Sequence, residues 1–184
     1  MFARQMSTHR FELAVPVGGV EHLLGPSHAQ VTVVEYGDFE CPNCKQAAPA
    51  VKLLLERYPG RVRLIWRHFP LEEVHPHALQ AALASEAAAA QGKFWPMHDL
   101  LFENQRHLKP AHLRQYAQRL ELDLVRYDGD MADTVYLQRV REDIEGGGRS
   151  GVRSTPGFFV NGVIQDASFG LQALFEKVEA ELRA

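Results

Sequence analysis

VTVVEYGDFECPNCKQAAP, residues 31–49, decides how this 184-residue chain is read. Its first part, Val31 to Tyr36, is β-branched and aromatic and apolar on both faces, which is the pattern of a short strand buried on two sides. Glu35 is the one charge in it. PNCKQAAPAVKLLLERYPG (42–60) then reads as a helix, because proline suits a first helical position and Pro59-Gly60 closes the segment. Pro49 falls inside that helix, where it removes a backbone hydrogen bond and predicts a kink. Cys41 and Cys44, the only two cysteines of the chain, therefore sit at a helix start. RVRLIWRHF (61–69) follows as a second strand, and the strand–helix–strand order predicts a parallel pair.

Beyond this unit, residues 75–149 read almost wholly as helix, beginning with the Ala-rich PHALQAALASEAAAAQGKFWPMHDLLF. Segments around 111–120 and 131–145 continue it with apolar residues at three- and four-residue steps. The triple glycine 146–148 reads as a flexible return from this helical part to the sheet, since it lacks the Lys-Ser/Thr of a phosphate loop. GFFVNGVIQ (157–165) reads as two short strands hinged at Asn161-Gly162, and FGLQALFEKVEAELRA as a closing helix. The expected organisation is an N-terminal extension (1–16), an α/β sheet domain (17–74 and 150–184) and an all-helical insertion (75–149).

Composition excludes some functions. Net charge is -3 with a pI near 6.3, and the 20 Lys and Arg are scattered, so no electrostatic footprint for nucleic acid is present. The apolar run Leu13–Val17 is short and broken by Pro16, whereas a secretory h-region needs roughly 7 to 15 apolar residues. No stretch approaches the roughly 18 apolar residues of a membrane span. These readings predict a cytoplasmic protein, with a periplasmic one the alternative if an export signal had been removed.

Residues three apart on a helix are neighbours, so the Cys41 and Cys44 sulfurs fall within bonding distance of one another. At the positive end of the helix Cys41 gains a stabilised thiolate, with a pKa below the free value of about 8.5, and becomes the attacking sulfur. Cys44, further in and covered, keeps its proton until it attacks a mixed disulfide on Cys41. The competing readings are half of a zinc site, with His68, His75 or His77 as the further ligands, and an inert buried pair.

VTVVEYGDFECPNC, Pro49 eight residues after Cys41, the helical insertion and the late STPGFFVNG together resemble the DsbA-like branch of the thioredoxin superfamily. The likeness runs from about Val17 onward and is nearest to signal-less members with EYGDFECP, GKFW and HDLLF, a type also found joined to sodium/proton antiporters. The resemblance implies a thioredoxin-like fold and thiol:disulfide exchange with protein or small-molecule thiols and disulfides. It implies a recycling redox partner and no cofactor or metal besides the Cys41–Cys44 pair. It places Pro42, Asn43, Thr155 and Pro156 at the substrate-binding surface, with Thr155-Pro156 a cis bond whose backbone pairs with an extended substrate; an ordinary trans turn is the alternative. It gives Glu35 the place of a buried acid that accepts the Cys44 proton, against a strand-end carboxylate facing water. Asn43 stands where the strong oxidants of the family carry histidine, so no imidazolium charge supports the thiolate.

Other residues read as structural. Asp38 and Glu40 are expected as solvated loop charges, and Phe94, Trp95, Met97, Leu100 and Leu101 as core, with a groove lined by Trp95 or Met97 the minority alternative. His98 and Asp99 are expected to face different sides of a helix and to form no dyad. A different class of function, a non-catalytic redox-sensing or client-binding module, remains open at this level.

Overall fold

The computed structural model describes residues 12–167 and 170–184; residues 1–11, and with them most of the leader-sequence reading, lie outside the described residues. A five-stranded sheet in the order β1-β3-β2-β4-β5 organises the chain. Its strands are β1 (His22–Leu24), β2 (Val31–Gly37), β3 (Val62–His68), β4 (Gly157–Val160) and β5 (Val163–Gln165). β2 and β3 are parallel, joined through α1 (Pro42–Arg57), while the other pairings are antiparallel. β1 carries no sequence signal of its own: it is three residues long and only partly buried.

Side-chain alternation along β2 sorts the core. Val31 and Val33 face α1 and the closing helix α7 (Gln172–Arg183), packing with Leu54, Leu64, Phe158, Val160 and Val178. Val34 and Tyr36 face the other way, onto Ile65, Phe69, Val152 and Phe159. Each such side chain contributes about 1.5–3 kcal/mol by leaving water. Glu35 shares the parity of Val33 and so points beneath α1.

Five helices lie between β3 and β4: α2 (Ala78–Ala89), α3 (Phe94–Glu103), α4 (Pro110–Arg119), α5 (Leu124–Ala132) and α6 (Leu137–Arg149). α2 is central. Its Ala81, Ala84, Ala87 and Ala88 are fully buried, because alanine is a strong helix former small enough to let neighbouring helices close in. The predicted core residues Phe94, Met97, Leu100 and Leu101 are all buried here with Trp66 and Phe39.

Two expectations are corrected. Residues 131–145 are not one helix: α5 ends at Ala132, Thr134 takes a positive φ of 48°, and α6 starts afresh at Leu137. The triple glycine is not a flexible return, since all three glycines belong to the last turns of α6 and Gly146 and Gly147 are buried. A Cβ on Gly147 would stand 2.7 Å from the Phe69 ring and 3.0 Å from Tyr36. The missing side chain is what lets α6 lie against the sheet.

Substitution should separate the two roles of glycine. Gly147→Ala is expected to lose about 1–3 kcal/mol by overpacking. Gly148→Ala meets nothing within 4 Å and is expected to gain up to about 1 kcal/mol from helix propensity. Urea midpoints of the two variants measure the difference, and equal shifts would refute the packing account.

Candidate active site

Cys41 is the N-cap residue of α1, with φ -73° and ψ 122°, and Pro42 follows at the first helical position. The turn before it is fastened from three sides. Cys41 N–H donates to the Asp38 carbonyl (3.1 Å), Asp38 N–H donates to the Cys44 sulfur (3.5 Å), and the Cys41 thiol donates to the Thr155 carbonyl (3.3 Å). The Thr155-Pro156 bond is cis. Both cysteines are free and buried, Cys44 completely, while Pro42 and Asn43 between them are exposed.

The two thiols differ sharply in acidity. A hydrogen bond from the Cys44 thiol brings Cys41 down to about 5, against the opposing effect of burial and with help from the Thr155 side chain and the backbone N–H groups of Cys44 and Asn43. That backbone contribution belongs to the open helix end. The absence of a histidine at Asn43 therefore does not deprive the site of a thiolate. Burial, and then the bond to Cys41, push Cys44 far above an ordinary thiol.

Glu35 is 2% exposed, and its Oε1 has no hydrogen-bond partner among the described residues. Burial first, and the Cys41 charge second, push its carboxyl up to about 8. This is the buried alternative, and a water-facing carboxylate is excluded.

Asp38 and Glu40 are not solvated charges. Asp38 is buried and accepts from Glu40 N–H (2.7 Å), Leu71 N–H (2.9 Å) and His75 Nδ1 (2.7 Å). Glu40 accepts from His77 N–H at 2.6 Å. The reason is that the loop after β3 turns its donors toward the cysteine turn, so that carboxylates replace water there. His98 and Asp99 are also bonded, Nδ1 to Oδ1 at 3.0 Å, contrary to the reading from helix geometry, and burial lowers the His98 pKa. Trp95 is half-buried and donates its indole N–H to Leu23 O (2.9 Å).

Gln105, between α3 and α4, carries no sequence signal yet donates to both Phe39 O (3.0 Å) and Cys41 O (2.8 Å). With His75 and His77 it ties residues 75–149 to the cysteine turn.

Among the described residues, no grouping with metal-ligand spacing joins His68, His75 or His77 to the cysteines. His75 is bonded to Asp38 and His68 to Glu86. Among the described residues, the one grouping with metal-ligand spacing is His22, His68 and Glu86, without a cysteine. In that grouping the Trp66 indole donates to His68 Nδ1 (3.3 Å), which leaves His68 Nε2 as the N–H that meets Glu86 at 2.8 Å. A metal would need that nitrogen's lone pair. Burial opposes the Glu86 charge, but the bonds from His22 and His68 outweigh it and hold the carboxyl well below the usual range. The cluster is a buried hydrogen-bonded clasp joining β1, β3 and α2, with one Glu86 oxygen meeting both histidines.

With this geometry in place, comparison with known proteins identifies the class. The thioredoxin family profile matches residues 18–180, and the chain belongs to that family, in the DsbA-like form of the fold. Among solved structures, BdbD from Bacillus subtilis superposes with a TM-score of 0.79 at 25% identity, covering 89% of this chain and 94% of that one. A thioredoxin-like oxidoreductase from Silicibacter pomeroyi gives 0.76 at 26%, covering 89% and 92%. DsbA2 of Pseudomonas aeruginosa gives 0.67 at 26%, covering 86% and 95%.

In sequence the chain is 51% identical over 164 residues to the Na(+)/H(+) antiporter NhaA 1 of Salinispora arenicola, covering 89% of this chain and 25% of that protein. It is 39% identical to the Na(+)/H(+) antiporter NhaA of Herminiimonas arsenicoxydans, covering 89% and 26%. The chain thus spans about a quarter of the length of these relatives. Among the described residues no helix is long and apolar enough to cross a membrane.

Two measurements follow. In the reduced protein, alkylation of Cys41 by iodoacetamide should titrate with a midpoint near pH 5, with Cys44 unreactive to pH 9; a midpoint near the free-thiol value of about 8.5 would contradict the site. The second concerns Glu35. Its folded pKa of about 8 lies above the ordinary 4.5, so as pH rises the unfolded chain releases the proton while the folded chain keeps it. Stability is therefore lost between about pH 4.5 and 8 and is flat outside that window. Relative to wild type, Glu35→Gln should gain about 3 kcal/mol on going from pH 4.5 to 7, at 1.36 kcal/mol per unit. A pH-independent difference would mean that Glu35 is not held protonated.

Proposed function

We propose that this chain is a thiol:disulfide oxidoreductase in which Cys41 exchanges with substrate and Cys44 resolves. The observation that carries this reading is the placement of two free thiols on one helix turn, Cys41 at the open end of α1 against the Thr155 carbonyl and Cys44 fully buried behind it, with buried Glu35 beneath; this placement drives their acidities apart. The thioredoxin family membership and the oxidoreductase likeness support it.

Starting from the dithiol, the Cys41 thiolate attacks a substrate disulfide. One substrate sulfur joins Cys41 and the other leaves as a thiolate that takes a proton from solvent. In the mixed disulfide the Cys41 charge no longer helps to hold the Glu35 proton, so Glu35 releases it to solvent; the carboxylate then takes the Cys44 proton as Cys44 attacks Cys41, which forms the Cys41–Cys44 disulfide and frees the second substrate sulfur as a thiolate that takes a proton from solvent. In reverse, a substrate thiolate opens the disulfide at Cys41, and protonated Glu35 supplies the proton to departing Cys44. Holding Cys41 as thiolate stabilises the dithiol over the disulfide, which favours this second direction.

The exposed Pro42 and Asn43 form the surface presented to substrate, and the Thr155 backbone, at hydrogen-bond distance from Cys41, is where an extended substrate segment pairs. The substrates are protein or small-molecule thiols and disulfides. A second redox protein recycles the pair, which is itself the redox centre without further cofactor. In a reducing cytoplasm the resting form is the dithiol, and in an oxidising periplasm the disulfide.

Trapping tests the assignment. Cys44→Ser should accumulate mixed disulfides with scrambled, disulfide-containing substrate proteins, and Cys41→Ser should accumulate few or none. The wild type should turn over in insulin reduction with dithiothreitol. Trapping by Cys41→Ser instead would reverse the roles, and absence of turnover would favour a redox-sensing module.

A further inference from the structure

A groove of ≈ 740 Å³ runs between Asn43 at the start of α1 and the loop of Thr155, whose carbonyl meets the Cys41 sulfur, and continues along β5 toward α7. That volume lies in the range of ligand clefts, about 300–1,000 Å³. Near the cysteines its lining is polar, with Asn43 and Gln46 from α1 and Arg153 from the segment leading to Thr155. Arg153 is exposed, and among the described residues it makes no hydrogen bond or ion pair. The groups that bring Cys41 down are Cys44, Thr155 and the local backbone, so the guanidinium is not committed to the thiolate. The one acid among the described lining residues, Asp166, has an interaction of its own.

Position adds to charge. Arg153 precedes Thr155 by two residues, so its Cα lies within about 7 Å of the residue whose carbonyl meets the Cys41 sulfur. A chain paired with the Thr155 backbone places the neighbours of its reacting cysteine within reach of the arginine. A guanidinium binds a carboxylate through two parallel hydrogen bonds, and an uncompensated charge beside a reactive atom raises the encounter rate of opposite charge.

We propose that Arg153 makes this groove selective for acidic substrate segments, in which an Asp or Glu lies within one or two residues of the reacting cysteine. The proposal rests on the thiol-exchange reading of Cys41 and names the substrate class of that site. Asn43 and Gln46 line the opposite wall and supply amide donors and acceptors to the substrate backbone.

The test uses the full chain with Cys44→Ser and three synthetic peptides that differ only in the residues flanking one cysteine: aspartate, serine or lysine. Each cysteine carries a methylthio group. The Cys41 thiolate attacks the peptide sulfur, the Cys41–peptide disulfide forms as the probe disulfide breaks, and methanethiolate leaves and takes a proton from solvent. The readout is the ratio of the aspartate-peptide rate to the lysine-peptide rate, compared with the same ratio in Arg153→Gln and Arg153→Glu. Because each ratio is internal to one protein, a general loss of reactivity cancels.

The expected ratio is about 10-fold higher with Arg153 than in Arg153→Gln and lower again in Arg153→Glu. The spread should shrink at about 0.5 M salt, where screening is strong. Ratios that agree among the three proteins would overturn the proposal while leaving thiol exchange intact. Absence of a Cys41 adduct with every peptide would overturn both.

Discussion

The contact between the Cys41 thiol and the Thr155 carbonyl, 3.3 Å across 114 residues of chain, is the constraint on which the site depends. It exists only because β2 pairs on one edge with β3 and on the other with β4, in a register that sets Glu35 opposite Phe158 and Tyr36 opposite Gly157. That register delivers the loop before β4 to the point where β2 turns into α1. A slip of one residue would move Glu35 to the other face of the sheet and carry Thr155 away from the sulfur. Five helices are spliced between the two halves of this pairing, and they are tied back to it through Gln105 on the cysteine turn and Glu86 on His68.

The electrostatics follow from the same placement. Three ionisable groups are confined within a few residues of one another, and burial alone would keep all three neutral. Cys41 has several donors aimed at it, from the Cys44 thiol and from the open end of α1, whereas Cys44 receives one, the Asp38 N–H. Cys41 takes the charge, and its charge in turn helps to keep Glu35 and Cys44 protonated. A set of groups whose environments push their acidities apart is the pattern of an acid–base site. The anion is thereby separated from the proton store, with Cys41 toward the groove and Glu35 beneath α1.

Much of this was legible in the sequence. The strand at 31–37, the helix opened by Pro42 and the hairpin hinged at Asn161-Gly162 announce themselves through runs of β-branched residues, proline and glycine, which are local signals. The cysteine pair was legible for the same reason. What was missed depends on tertiary approach. β1 is a strand because β3 offers it an edge, not because His22–Leu24 favours one. Asp38 and Glu40 lose their water to donors that arrive from residues 71–77, more than thirty positions later. Glycines 146–148 look like a hinge in one dimension, but in three they are the place where a helix touches Phe69 and Tyr36. Gln105 is one polar residue in a turn, and nothing near it in sequence points to Cys41.

The central claim is that the dithiol form carries one thiolate and one thiol across the neutral range, and the pH dependence of the Cys41–Cys44 reduction potential tests it directly. With Cys41 ionised, reduction takes up two electrons and one proton, so equilibration against glutathione between about pH 5.5 and 7 should show the potential falling by about 30 mV per pH unit. A fall of about 59 mV per unit, twice that value, would show that both thiols are protonated there and would contradict the account.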